Sequence, residues 1–498
     1  MSASPRFPPA MRPADGAEIG ASQRWEVVVP RVSRRSRYRF LARHCVELPG
    51  LHYDFGAADD DSIHSAHSSL LSRGLRGPIS VEQFISELPW RGWGLDFAEL
   101  RRGGWRPKPF NEFIVKIHGR CNLACDYCYV YEMADQSWLS KPKAMSRRVF
   151  SDSCEMIKDH AVGYALPAVN LVLHGGEPLL VGTSDLEYFA RTARETLDPV
   201  VRLRLGLQTN GVLIDDDVLR ICERWNIKIG VSLDGGELEH DRHRVDRAGR
   251  GSYARVVAGL EQLLAPRHRQ LFSGLLCTID VRNDPIRTYE SMLLFEPPLV
   301  DFLLPHGNWT TPPPERVADQ TRTPYGDWLI AVFDRWYDAP ERETGIRLFG
   351  DIIDLLLGGR ATSELLGLGP IRLAVVETDG SLEQVDELKS AFEGAARIPT
   401  SGEGNPLDMA MWDPSVMARQ VGATALSPVC RDCPVQNICG GGHYVHRYRA
   451  GEGFRNPSVY CADLKKLITH VENRIRTDLD TVLTPAPASA DPGTTTGV

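Results

Sequence analysis

Apolar, β-rich runs alternate regularly with helical stretches between residues 110 and 305. The candidate strands are residues 112–118, 170–175, 202–209, 227–233, 272–279 and 300–305, and the candidate helices lie near 146–162, 184–196, 215–225, 252–264 and 284–295. Repetition of strand, helix and parallel strand is typical of a βαβ series. Six such units predict an α/β fold built on an open or partial (β/α)6 barrel. Its active site should form from the loops at the carboxyl ends of the strands.

The remainder of the chain divides around this core. Both ends of the chain are predicted to be disordered, because the first segment is rich in Pro, Ala and Ser and the last is poor in apolar side chains. The predicted division is a disordered start at 1–22, a small N-terminal extension at 24–105, the barrel at 110–310, a bridging region at 311–429, a Cys-, Gly- and His-rich unit at 430–470 and a disordered tail at 484–498. Within the bridging region, 325–338 reads as a helix and 375–386 as a hairpin.

Composition narrows the class of protein. The net charge of -8 gives no case for nucleic-acid binding. No apolar run reaches the ~18 residues of a membrane span, and the first residues lack the apolar segment of a secretory signal, so we expect a cytoplasmic protein. Eleven cysteines in such a chain favour metal or redox chemistry over a disulfide framework.

The cysteines fall into two sets and four isolated residues. Cys121, Cys125 and Cys128 directly follow the first candidate strand. Three thiolates there can hold an iron–sulfur cluster with one open iron, or a zinc ion whose fourth ligand is water. The second set consists of Cys430, Cys433, Cys439 and Cys461, and it predicts a closed four-cysteine site for either metal. We expect the isolated residues to be small buried hydrophobic side chains; they are Cys45, Cys154, Cys222 and Cys277.

The C-x3-C-x2-C spacing, with Tyr127 just before the last cysteine, resembles the radical S-adenosylmethionine (SAM) superfamily. The resemblance implies that the three thiolates hold a [4Fe–4S] cluster and that SAM chelates its open iron through amino and carboxylate groups. The family also has a glycine-rich turn after the second strand, and "HGGEP" at 174–178 supplies it. There Gly175 and Gly176 would let the backbone approach the methionine ammonium, and Glu177 would place a charge nearby.

Polar residues follow the next two strands, at "QTNG" and "SLDG". By resemblance, Asn210 and Ser232 would bind the ribose hydroxyls or the carboxylate of SAM. Asp234 is either a further contact or an ordinary turn residue. Arg244 is either a carboxylate partner or a surface ion-pair residue.

The second set resembles part of the SPASM domain, a C-terminal extension of many radical SAM enzymes that act on peptides. A full SPASM domain has seven cysteines and two auxiliary [4Fe–4S] clusters. Here His443 stands where the next cysteine is expected, and Val385 stands where an upstream one is expected. The resemblance therefore implies one auxiliary cluster on the four cysteines of the second set, and a structural or substrate-contact role for His443.

Three stretches, 129–138, 375–389 and 433–464, narrow the resemblance to the FxsB-type radical SAM/SPASM peptide maturases. These form cyclophane or related side-chain crosslinks in ribosomally made peptides. The resemblance implies that a 5′-deoxyadenosyl radical takes a hydrogen atom from a peptide carbon, that the carbon radical attacks an aromatic ring, and that a base then removes a proton. Asp386, Glu383 and His443 are the candidate bases.

The implied partners are a precursor peptide with leader and core, and an electron donor such as ferredoxin or flavodoxin. Residues 24–105 would capture the leader by strand addition, or simply stabilise the fold. Thioether or ether crosslinking and epimerisation are alternatives within the class. Outside it, the alternative is a non-catalytic, zinc-stabilised peptide-binding protein.

Overall fold

The computed structural model describes residues 96–316, 322–400 and 402–483. The predictions for residues 1–22, for Cys45, for most of the extension at 24–105 and for the tail at 484–498 lie outside these ranges.

Strands and helices alternate as the sequence predicts. The strands are β1 (Glu112–His118), β2 (Ala168–Gly175), β3 (Arg202–Thr209), β4 (Lys228–Ser232), β5 (Phe272–Thr278), β6 (Leu299–Leu303), β7 (Gly345–Ile346), β8 (Leu373–Val376) and β9 (Leu382–Glu383). The α-helices of the described ranges are α1 (Phe97–Arg102), α2 (Arg147–Gly163), α3 (Thr183–Leu197), α4 (Asp216–Trp225), α5 (Glu237–Asp241), α6 (Tyr253–Leu263), α7 (Pro285–Leu293), α8 (Pro324–Tyr337), α9 (Arg347–Leu356), α10 (Pro406–Ala410), α11 (Pro414–Ala418), α12 (Pro428–Arg431), α13 (Gln436–Cys439) and α14 (Cys461–Leu483).

Local chemistry sets several helix starts. The Ser146 side chain accepts a hydrogen bond from Val149 N at the start of α2, and Asp215 caps α4 by accepting one from Val218 N. Asp284 caps α7, and Pro285 occupies the first turn, where its missing N–H is not needed. These polar-to-apolar transitions are why the sequence placed the helix boundaries within a few residues.

The strands form one open sheet in the order β7-β6-β5-β4-β3-β2-β1-β8-β9. All neighbours are parallel except β8 and β9, which form the predicted hairpin. The six predicted barrel strands are consecutive neighbours, so the α/β fold with a partial parallel barrel is confirmed. Helices cover the sheet and bury its apolar side chains in one large core.

The hairpin of β8 and β9 extends the sheet beyond β1. Val115 on β1 pairs with Leu173 on β2 and with Val376 on β8, so β8 ends three residues before the end of β1. The sequence division at residue 310 did not anticipate this, because nothing local in 373–383 indicates which strand it joins. The carboxyl end of β8 consequently delivers Glu377 to the same rim as the first cysteine set.

The C-terminal helix α14 joins the second cysteine set to the barrel. Cys461 is its first residue, and Asp463, two residues later, accepts hydrogen bonds from Tyr325 N and Gly326 N at the start of α8. None of the helices in the described ranges is long and apolar enough to cross a bilayer. Of the isolated cysteines, Cys154, Cys222 and Cys277 are buried, as predicted.

Candidate active site

The first cysteine set faces a cavity of about 460 Å³ at the carboxyl ends of the strands. Cys121, Cys125 and Cys128 all line it. The loop that carries them is held in place by a hydrogen bond of 2.8 Å from Ala124 N to Val245 O. The loop thus presents its thiols inward, which is the arrangement the sequence predicts.

These thiols hold their protons in the absence of a metal. Burial raises the pKa of Cys121 to about 11 and that of Cys125 to about 12. Coordination by thiolates therefore has to displace protons, as metal binding to cysteine generally does. A bound iron or zinc would add positive charge to that of Arg244, which lowers the pKa of Cys125 without overcoming the effect of burial.

The spacing of the thiols bears on which metal group they could hold. A tetrahedral zinc site holds its sulfurs about 3.8 Å apart, given Zn–S bonds near 2.3 Å. Within the described ranges, one group of three His, Cys, Asp or Glu side chains has its donor atoms within 4.8 Å of one another, and it is Glu377, Glu383 and Asp386. Neither cysteine set is that compact. Wider spacing fits a cluster that offers a different iron to each thiolate.

The turn after β2 packs directly on the cysteine loop. Gly176 N donates to His118 O at 2.9 Å, and Glu177 N donates to Arg120 O at 3.0 Å. A Cβ on Gly175 would lie 2.1 Å from His118 O, and one on Gly176 would lie 2.5 Å from Arg120 O. Both glycines line the cavity. Only glycine therefore permits this contact and leaves bare backbone facing the site.

Glu177 acts within the wall of the cavity. Its buried carboxylate accepts hydrogen bonds from Thr209 Oγ1 at 2.7 Å, from Asn210 N at 2.8 Å and from Leu179 N at 3.0 Å. Burial raises its pKa to about 7, against the effect of these three donors. The residue ties the turn after β2 to the end of β3, so it positions Gly176 and Asn210.

Asn210 and Ser232 line the cavity at the ends of β3 and β4. Asn210 Nδ2 donates to Asn122 Oδ1 at 2.7 Å and lies 3.7 Å from Cys121 Sγ. Ser232 Oγ accepts a hydrogen bond from Gln208 Nε2 at 3.1 Å. The rim therefore offers an amide and a hydroxyl beside the cysteine loop, as the sequence predicts.

Tyr127, Asp234 and Arg244 form one buried unit. The Tyr127 hydroxyl and Arg244 Nε, the latter at 2.8 Å, both donate to Asp234 Oδ2, while Thr278 N donates to Asp234 Oδ1 at 3.0 Å. Asp234 is thus neither a plain turn residue nor a free acid: it anchors the other two side chains. Tyr127 and Arg244 line the cavity, and the guanidinium keeps terminal N–H groups beyond its bond to Asp234. That geometry suits a carboxylate partner.

Two of the candidate bases lie in a buried ion-pair network. Lys116 Nζ is 2.5 Å from Asp386 Oδ1 and 2.6 Å from Glu377 Oε1, and Lys389 Nζ is 2.8 Å from Glu383 Oε2. Burial raises the pKa of Glu383 to about 7; Lys116 opposes this and Glu377 adds to it. One proton shared among three carboxylates would balance the charge of the two lysines.

His443, the third candidate, belongs to a histidine group. Its Nε2 lies 2.9 Å from Glu364 Oε1, and its ring centroid is 5.0 Å from that of His446 and 5.5 Å from that of His306. Of these three histidines, His306 lines the cavity, and the other two lie behind it. No prediction singled out His306, although it follows the sixth strand by the same positional rule that found Asn210 and Ser232.

The second cysteine set lies away from the cavity. Burial raises the pKa of the Cys461 thiol, and the nearby thiols of Cys430 and Cys433 raise it further. The side chains of these three cysteines therefore lie close together. The adjoining glycines 440, 441 and 442 have φ angles of 59°, 85° and 72°. Arg447 fixes this bend by donating to Gly440 O at 2.7 Å and to Gly442 O at 2.6 Å.

Comparison with known proteins bears on these sites. The profile of the Radical SAM superfamily matches residues 115–270, which span β1 to the residues just before β5. The chain is 26% identical over 357 residues to the serine-type anaerobic sulfatase-maturating enzyme of Klebsiella aerogenes, which covers 69% of this chain and 82% of that protein. It is 25% identical over 284 residues to the cysteine-type enzyme of Clostridium novyi (strain NT), which covers 56% of this chain and 74% of that protein.

A solved structure has the same fold. Native anSMEcpe with bound AdoMet and Cp18Cys peptide superposes with a TM-score of 0.62 at 20% identity, over 74% of this chain and 99% of that one. The likeness therefore covers more of the chain than the matched profile does.

Proposed function

This chain is an enzyme of the radical SAM type, and from that premise we propose that it installs carbon–carbon crosslinks of the cyclophane type between side chains of a ribosomally made precursor peptide. The superfamily implies a [4Fe–4S] cluster and SAM. When bound, they supply the 5′-deoxyadenosyl radical that takes a hydrogen atom from an unactivated carbon.

The residues of the first rim fit that cofactor pair. Cys121, Cys125 and Cys128 would hold the cluster and leave one iron open. The bare backbone of Gly175 and Gly176 faces the same cavity and would accept the ammonium of SAM, while Arg244 would meet its carboxylate. Asn210 and Ser232 would contact the polar groups that remain.

The observation that carries the crosslinking proposal is the aromatic wall of the cavity. Tyr131 and Trp138 form a T-shaped pair with centroids 4.9 Å apart, and Tyr129 and His306 form another at 4.9 Å. All four residues line the cavity. Edge-to-face packing of this kind favours a further aromatic ring. A peptide ring held there would lie within the volume that also admits the radical.

We further propose that Cys430, Cys433, Cys439 and Cys461 hold one auxiliary cluster. It would accept the electron that the substrate gives up when its radical is oxidised. Residues 24–105 would take part in leader capture, and a ferredoxin- or flavodoxin-like donor would deliver the initiating electron in the cytoplasm. The FxsB-type resemblance of residues 129–138, 375–389 and 433–464 supports the peptide substrate.

The names of the relatives favour a second candidate, the oxidation of one cysteine or serine side chain in a sulfatase. Both candidates start with the same radical and both remove hydrogen from a peptide. They differ in whether a second side chain becomes attached.

A peptide panel tests the proposal. The full chain, reconstituted anaerobically with iron and sulfide, is given SAM, a reductant and three sets of synthetic peptides. The first set carries an aromatic residue near an aliphatic one, the second an internal cysteine and the third an internal serine. Crosslinking predicts loss of two hydrogen atoms from the first set and no backbone fragments between the joined residues. A change confined to one cysteine or serine would instead support the second candidate.

A further inference from the structure

His306 stands where the substrate is expected, across the sheet from the first cysteine set. It follows β6, whereas the cysteine loop follows β1. Its ring meets the Tyr129 ring edge-on at 4.9 Å, and both residues line the cavity. Its Nδ1 contacts His446, so Nε2 is the ring nitrogen that remains for a substrate.

A second imidazole lies directly behind it. His306 Nδ1 and His446 Nε2 are 3.3 Å apart, so one of these nitrogens donates to the other. His446 is buried, and its Nδ1 has no partner in the described part of the chain. The next ring is His443, whose Nδ1 is also unpartnered there and whose Nε2 contacts Glu364. One half-buried ring at the cavity wall, His306, and two buried rings behind it thus lie between the cavity and a carboxylate.

We propose that His306 accepts the proton that the substrate loses when its radical is oxidised, and that it passes this proton to His446. The inference rests on the proposed function and names the proton acceptor of that reaction. It applies equally to crosslinking and to the oxidation of a single side chain, because both release a proton and an electron after the first hydrogen atom has gone.

The reaction balances with His306 in this role. One hydrogen atom leaves the substrate carbon for the 5′-deoxyadenosyl radical, which becomes 5′-deoxyadenosine. The new carbon–carbon bond forms as the carbon radical attacks the ring. The ring adduct then gives up one electron, which a cluster held by the second cysteine set would accept, and one proton, which His306 Nε2 accepts while the His306 Nδ1 proton moves to His446 Nε2. The peptide has lost two hydrogen atoms in all.

The surroundings keep His306 in its neutral, accepting form. Burial lowers its pKa to about 3, and the neighbouring His443 adds to this, while Glu364 opposes it. The ionisable groups that face it are Tyr129 from the cysteine loop, His443 and His446 from the C-terminal region, and Glu364 behind them. A weak base is sufficient here, because an oxidised ring adduct is a strong acid.

Other candidate acceptors are less well placed. Asp386 and Glu383 are paired with Lys116 and Lys389 behind the wall. His174 lines the cavity, but it directly precedes the glycine turn that faces the SAM side of the site.

Measurements of 5′-deoxyadenosine and of peptide product distinguish His306 from the other candidate proton acceptors. With the panel peptide that the wild-type enzyme converts, His306→Gln should still form 5′-deoxyadenosine but yield ~100-fold less product, the lower range for loss of a general base. Added imidazole should restore product in His306→Ala. His268→Gln is the matched control, since His268 is buried with an unpartnered Nδ1 but precedes β5 at the opposite end of the sheet. If Asp386→Asn uncouples the reaction and His306→Gln does not, the proposal is overturned.

A measurement without substrate tests the same point. In the ¹⁵N-histidine NMR spectrum of the reconstituted full chain, the His306 signal, identified by its absence in His306→Gln, should report a neutral ring at pH 7. A protonated ring at that pH would overturn the proposal. The panel result for the wild-type enzyme judges the proposed function, whereas the product ratio and the NMR signal judge His306. The visible absorption of the variants verifies that their clusters are intact.

Discussion

The two cysteine sets have similar local chemistry but differ in their position relative to the cavity. Each lies beside glycines that bring backbone close: Gly176 against Arg120 O, and Gly440 against Gly367 O, where a Cβ would lie 1.7 Å away. All three cysteines of the first set line the 460 Å³ cavity, whereas none of the four in the second set does. Position, more than ligand type, distinguishes a set that can meet a small molecule from one that is closed off.

The first set should matter most. Cys125→Ala removes one of only three ligands, so 5′-deoxyadenosine formation should fall below detection, and iron should drop from about eight to about four per chain if both sets carry [4Fe–4S] clusters. Chromatography of the nucleoside products and iron analysis measure this. Retention of nucleoside formation would show that the two sets do not divide the work in this way.

The second set should affect only the later step. Cys433→Ala should also lose about four irons but keep 5′-deoxyadenosine formation, while oxidised peptide falls at least ~10-fold because the electron acceptor is gone. The ratio of product to 5′-deoxyadenosine is the measurement. Cys154→Ala, a buried cysteine of neither set, is the control for a general loss of folding.

The glycines sharpen the comparison. Gly176→Ala and Gly440→Ala each force a Cβ into backbone atoms and should destabilise the fold by roughly 1–3 kcal/mol, the usual cost of overpacking. Gly176→Ala should weaken SAM binding, measured by equilibrium dialysis, and Gly440→Ala should reduce iron retention. Gly163→Ala, with open space around the new Cβ, should be neutral or stabilising by ~0.5 kcal/mol. If Gly176→Ala reduced iron retention and Gly440→Ala weakened SAM binding, the proposed division of roles between the two cysteine sets would be wrong.

The smallest effect concerns acid stability near the first set. Burial lowers the pKa of His240 to about 4, and the charge of Arg244 lowers it further. The Nδ1 atom of His240 accepts a hydrogen bond from Asp234 N at 3.2 Å. The unfolded chain takes up this proton near pH 6.5. The contribution of His240 to stability is therefore complete above pH ~6.5 and declines as the pH falls toward 4.

Thermal unfolding measured from pH 8 to pH 5 should reveal this decline, and His240→Gln should make it shallower. Burial also lowers the pKa of His446, in the second region, so its contribution has the same sign. A decline that flattens in His446→Gln and persists in His240→Gln would place the acid sensitivity beside the second set instead.

The sequence was a good guide to whatever depends on neighbouring residues. The predicted strands 112–118 and 202–209 match β1 and β3 residue for residue, because alternating buried side chains mark their ends. Strand-end reasoning also placed the cysteine loop, Gly175, Asn210 and Ser232 on one rim.

Contacts distant in the sequence were beyond such reasoning. Lys116 is an ordinary lysine in a strand until Glu377, 261 residues away, is brought 2.6 Å from it. The roles of Glu177 and Asp234 as anchors likewise depend on donors from other strands. His306 is a different case: its position after β6 was a usable signal, and only its pairing with His446 required the structure.

The position of β8 has a consequence for synthesis. During translation, β1 and β2 can pair early, but the other edge of β1 stays bare and the Lys116 ammonium stays without its partners until residues 373–386 leave the ribosome. A nascent chain in that interval carries an open strand edge, the usual starting point for wrong pairing and aggregation. A chain truncated near residue 310 would keep that edge permanently, so the natural stopping point for a shortened protein lies beyond residue 386.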